Sequence, residues 1–136
     1  GFKTGLHTAG IYPDRLENLL PCLDWVGLDI KAPAPEYPAI TGVAGSGAVA
    51  WDSARRLISS GIAHEIRLTL HPRLLPPDSV AATLTRLKTL GAATIVLQAC
   101  RQVHGLDPDP AWHPSAVLAS YTSVIASHPE VQTRAA

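Results

Sequence analysis

Four times along this chain a short apolar run of strand period is followed by a longer run of helical period. That alternation restricts the fold more than any other feature. Lys3–Thr8 reads as a short strand ending at Ala9-Gly10. A brief helix follows, with Pro13 near its first position and Leu16, Leu19 and Leu20 on one face. Trp25–Lys31 is the second strand, and a proline- and glycine-bearing loop runs from Ala32 to Gly47. The next helix is expected from about Ala48 to Ser60, with Val49, Ala54, Leu57 and Ile58 inward, Trp51 packed on it and Gly61 as its stop. Glu65–His71 alternates Ile66, Leu68 and Leu70 with Arg67, Thr69 and His71, which is the period of a strand. After a loop from His71-Pro72 to Pro76-Pro77, a helix carries Val80, Leu84, Leu87 and Leu90 and closes at Gly91. Thr94–Gln98 is the fourth strand, Cys100 to Pro114 a polar loop, and Val117, Tyr121, Val124 and Ile125 mark a last helix before a frayed tail after His128.

Strands alternating with helices at these spacings imply an α/β fold, a parallel sheet with right-handed crossovers. About four units are too few to close an eight-stranded barrel, leaving part of a barrel or a small open sheet. The 136 residues, 46% of them hydrophobic, make one domain with a real core. A net charge of zero lacks the basic footprint of a nucleic-acid binder, and no apolar run approaches a membrane span. Cys22 and Cys100 are far apart and form neither a disulfide framework nor a metal knuckle, so inert thiols in a reducing cytoplasm are expected. The absence of methionine and the opening on Gly1-Phe2-Lys3 suggest a portion of a longer protein.

The second strand, Trp25-Val26-Gly27-Leu28-Asp29-Ile30-Lys31, puts an acid and a base two residues apart at its C-terminal end, where α/β sheets bind ligands. Residues two apart share a face, and charges on a buried strand are costly unless they pair or meet a ligand. The pair is therefore either a structural ion pair or part of a site. The other strand ends add His7 with Thr8 at the turn, then Arg67, Thr69 and His71, then Gln98. A sheet buried on both faces would be almost continuously apolar, so this convergence of polar groups points to a ligand. His104, His113 and His128 are expected to face solvent. Gly42-Val43-Ala44-Gly45-Ser46-Gly47 precedes a helix but follows a loop and ends without lysine, a weak phosphate signal. No nucleophile elbow, Walker loop or HExxH is present.

Leu6-His7-Thr8-Ala9-Gly10, Asp24 to Pro33, Tyr37 to Val43, Gly45-Ser46-Gly47 and Glu65 to Pro72 occur in an order that resembles radical S-adenosylmethionine (SAM) enzymes. The chain is similar to the larger activating proteins of anaerobic ribonucleoside-triphosphate reductases, themselves akin to the pyruvate formate-lyase activating enzymes. The similarity spans roughly Gly1 to Gln98.

The resemblance implies part of a (β/α)6 partial barrel, with residues 1–136 as its C-terminal portion. The family's CxxxCxxC loop, which binds a [4Fe-4S] cluster, and its Gly-Gly-Glu strand are absent from these residues. Asp29 and Lys31 match the family's Asp-x-Lys strand end, Arg67 matches the arginine of the next strand, and His7-Thr8 falls where more distant relatives carry Asp-Thr-Asn. After Gln98 the family's Glu-Phe-Arg is replaced by Ala99-Cys100-Arg101.

By resemblance, Asp29, Lys31 and Arg67, with His7, Thr8, Thr69 and His71 as lesser contacts, would face SAM and the client peptide. The complete protein would be an oxidoreductase in which a reduced cluster, supplied with electrons by a flavodoxin or ferredoxin, cleaves SAM. The 5′-deoxyadenosyl radical then takes hydrogen from a glycine of the reductase. This chain alone would be inactive. Two other readings stand beside it: a barrel lyase or isomerase using Lys31 as base or imine former, and a degenerate half-barrel without catalysis.

Overall fold

The computed structural model describes residues 1–101 and 113–135. His104, Trp112 and most of the Cys100 to Pro114 loop lie outside the described residues.

The strands are β1 (Gly5–Thr8), β2 (Trp25–Ile30), β3 (Ala63–Leu70), β4 (Ile95–Ala99) and β5 (Gln132–Arg134). The helices are α1 (Pro13–Leu19), α2 (Tyr37–Thr41), α3 (Ser46–Ser59), α4 (Pro77–Leu90), α5 (Pro114–Ala119) and α6 (Thr122–Ala126). Proline opens α1, α4 and α5, where a missing N–H costs nothing, and left-handed Gly91 closes α4.

All five strands are parallel and lie in chain order, β1-β2-β3-β4-β5. The order never reverses, so right-handed crossovers put every connecting helix on the same side of the sheet. The core agrees. Leu28, Ile66, Leu68 and Leu97 from alternate strand positions join Leu16 of α1, Leu57 of α3, Leu84 of α4, Tyr121 just before α6 and Val124 within it in one buried cluster. The result is a two-layer α/β unit with helices over one sheet face. Among the described residues no helix is long and apolar enough to cross a membrane.

The structure departs from the sequence expectations in four places. The tail is not frayed. Val131 packs on the core and β5 adds a fifth strand, pairing with β4 from Val96↔Gln132 to Gln98↔Arg134. All three β5 residues are exposed, so no burial alternation marks them.

Second, the last helix is two helices, α5 and α6, meeting at Tyr121. That side chain is fully buried, and its hydroxyl donates to Leu75 O at 2.5 Å.

Third, the Ala32 to Gly47 segment contains a helical turn at Ala34–Glu36 and then α2. α3 starts at Ser46, two residues before the expected Ala48, after Gly45 in the left-handed region. Fourth, Trp51 does more than pack on its own helix. It is buried, donates from Nε1 to Ala32 O at 3.0 Å, and carries the Arg86 guanidinium 4.3 Å from its ring centroid.

Candidate functional site

Parallel register places directly paired residues on one face of the sheet. His7 pairs with Gly27, Asp29 with Arg67, Thr69 with Gln98, and Gln98 with Arg134. These residues, with Trp25, Glu65 and Val96, lie on the face away from the helices, and none belongs to the core cluster. Of the polar strand ends named from the sequence, His7, Asp29, Arg67, Thr69 and Gln98 therefore share a face that no described helix covers.

Three cross-strand arrangements organise that face. Near β1, the rings of His7 and Trp25 meet edge-on, with centroids 5.0 Å apart. A Cβ at Gly27 would come within 2.6 Å of Trp25 Cη2 and 2.7 Å of His7 Nδ1, so glycine leaves room for both rings above β2.

In the middle, Arg67 Nε donates to Asp29 Oδ1 at 2.7 Å; the side chains are 18% and 38% exposed, respectively. Near β5, Arg134 forms hydrogen bonds of 3.3 and 3.2 Å to the two carboxylate oxygens of Glu65. Arg134 is in register with Gln98, whereas Glu65 lies further toward the N-terminal end of β3. Its side chain thus crosses β4 at the level of Val96, which is 0% exposed although it lies outside the core cluster.

The Asp29–Lys31 ion pair considered from the sequence does not form, because Asp29 turns to Arg67. Lys31 follows the last residue of β2, and its backbone N–H donates to Tyr37 Oη at 2.9 Å. Among the described residues the Lys31 ammonium has no ion pair. Tyr37 is buried. Burial pushes its phenol up to about 12; the Lys31 N–H opposes that rise and the Asp29 carboxylate adds to it. No role was assigned to Tyr37 from the sequence. The available signal was an aromatic residue soon after a strand end, in a segment otherwise rich in proline and glycine.

Lys31 and Tyr37 line a mostly apolar cavity of about 380 Å³, walled also by Ile11, Val43 and Val49. It opens at the C-terminal edge of the sheet, where ligands bind in such folds. The adjoining Gly42 to Gly47 turn is closed on itself. Thr41 Oγ1 donates to Tyr37 O at 2.9 Å, and Ser46 Oγ donates to Val43 O at 2.8 Å and lies 2.8 Å from Thr41 Oγ1. Gly47 fits tightly, since a Cβ there would lie 2.1 Å from Ala34 O. These internal bonds occupy the hydroxyls that a phosphate cradle would offer.

The remaining expected residues divide. Thr69 is exposed on the open face, and Gln98 is half-buried beside it. Thr8 lies on the opposite strand face from His7 and accepts a hydrogen bond from Gly10 N at 3.1 Å, a turn-closing role. His71 lies one residue beyond β3, half-buried. Its carbonyl accepts from Leu74 N at 2.9 Å and Leu75 N at 2.8 Å. His113 is exposed and caps α5, while His128 is half-buried with Nδ1 2.8 Å from Val124 O.

Cys22 is exposed before the start of β2, and Cys100 is half-buried just after the end of β4. They stand at opposite ends of the parallel sheet. Among the described residues no three His, Cys, Asp or Glu side chains converge as metal ligands.

Comparison with family models, curated proteins and solved structures returns no match.

Proposed function

We propose that this chain is part of a radical SAM partial barrel of the glycyl-radical-activating kind, serving an anaerobic ribonucleoside-triphosphate reductase. The observation that carries the reading is the asymmetry of the sheet. Helices cover one face, while Asp29, Arg67 and Thr69 occupy the C-terminal half of the other, with Lys31 at its rim. Such a sheet has the layering of a barrel segment whose polar side is its interior.

The residues present fit SAM through its amino acid part. A free α-carboxylate suits the Lys31 ammonium, which has no ion pair among the described residues, and the Arg67 guanidinium, and an α-ammonium suits Asp29. When bound, SAM would supply the group that abstracts hydrogen from a glycine of the client. Asp29, Lys31 and Arg67 would orient it, and the Asp29–Arg67 pair would hold both side chains in place before binding. Lys31 is set at the strand end by the hydrogen bond between its backbone N–H and Tyr37.

The chain does not fit an iron–sulfur cluster. Two cysteines at opposite ends of the sheet cannot supply a three-thiolate loop, so no step through a cluster is assigned to these residues. The cluster and the contact with a flavodoxin or ferredoxin would belong to sequence outside this chain. The reading frame upstream of Gly1 tests the proposal. A CxxxCxxC motif followed by Gly-Gly-Glu is expected there, and a frame without both overturns it.

A further inference from the structure

We propose that the cavity beside Lys31 is a binding site for a small monocarboxylate with an apolar body. The inference stands on the cavity of this chain and does not rest on the radical SAM reading. Its volume of about 380 Å³ falls in the range of small-molecule sites. Ile11, Val43 and Val49 offer apolar walls from three separate segments: the turn after β1, the turn after α2, and α3. Tyr37 adds a buried aromatic wall.

Charge selects the ligand's head group. Among the described residues Lys31 is the only charged one lining the cavity, and its ammonium has no ion pair. The nearby carboxylate that could have neutralised it, Asp29, is committed to Arg67. The two lining hydroxyls, Thr41 and Ser46, donate within their own turn, which leaves Lys31 as the side-chain donor for a head group. One cation suits one carboxylate. A neutral or cationic head group of the same size would leave the ammonium unpaired or repelled.

Octanoate, octanol and octylamine, added to the full 136-residue chain, test the assignment by amide and methyl NMR. Octanoate is expected to give saturable shifts centred on Ala9, Val43 and Val49, with affinity about tenfold above octanol and no binding of octylamine. Lys31→Met is expected to bring octanoate down to the affinity of octanol. Val49→Trp, which fills the cavity, is expected to abolish binding of both. If that variant loses its native spectrum, Val43→Trp on the exposed turn makes the same test. Equal affinity for octanoate and octanol, shifts centred elsewhere, or no binding at all would overturn the proposal. Lys31 is the one group shared with the proposed SAM site, and octanoate binding reports on the cavity while 5′-deoxyadenosine formation reports on SAM.

Discussion

Arg67 Nε donates to Asp29 Oδ1 at 2.7 Å from the residue directly in register on the neighbouring strand. Cross-strand pairing of this kind links two charges without distorting either strand, and it separates Asp29 from Lys31. In a double-mutant cycle with Asp29→Ala and Arg67→Ala, the expected coupling is about 0.5–1 kcal/mol. Raising the salt should shrink it, because both groups are partly exposed. Urea unfolding of the four proteins at low and high ionic strength measures this, and additive single substitutions would show that the contact contributes nothing.

Two glycines are expected to resist alanine to different degrees. At Gly47 the new Cβ meets a backbone carbonyl, Ala34 O, at 2.1 Å, and neither α3 nor the preceding turn can shift cheaply. At Gly27 it meets the ends of two side chains, Trp25 and His7, which can swing into the open face. Gly47→Ala should cost about 3 kcal/mol and Gly27→Ala about 1 kcal/mol by denaturant unfolding. The reverse order would contradict the packing described.

The Arg134–Glu65 pair spans β4 at the level of Val96. Arg134→Ala should destabilise by about 1 kcal/mol and speed amide exchange in β4, because Val96 becomes accessible to water. Arg134→Met keeps the apolar length without the charge and should retain most of the stability. Equal damage from both variants would assign the effect to the ion pair instead.

The phenols of Tyr37 and Tyr121 are both raised to about 12, mainly by burial. Ionisation in the unfolded chain occurs near a phenol's ordinary 10.0, so the unfolded state gives up these protons first. Their contribution is therefore complete below about pH 10 and is lost as pH rises toward 12. Tyrosinate absorbance of the native protein should show two late-ionising phenols. Tyr37→Phe and Tyr121→Phe should each remove one, and an unchanged titration in either variant would contradict that assignment.

Much of the layering was legible in the sequence because alternation records it directly: Ile66, Leu68 and Leu70 face the helices, while Arg67 and Thr69 face away. The partner of Asp29 was not legible. Sequence proximity favoured Lys31, and only the register between β2 and β3 brings Arg67 alongside. β5 was missed because it is short, polar and exposed at the sheet edge, so it lacks the apolar pattern of a strand. Thr8 was grouped with His7 although adjacent strand residues face opposite ways, and the Tyr37 contact with Lys31 depends on a turn that composition alone does not specify.

In the proposed function, Asp29, Lys31 and Arg67 form the floor of a SAM site. The most direct measurement is anaerobic formation of 5′-deoxyadenosine from SAM, using the protein extended upstream of Gly1, reconstituted with iron and sulfide and reduced. The wild type should form it, and Asp29→Ala and Lys31→Ala should each lower the rate about tenfold or more. No 5′-deoxyadenosine from the wild type, or unchanged rates in both variants, would contradict the claim.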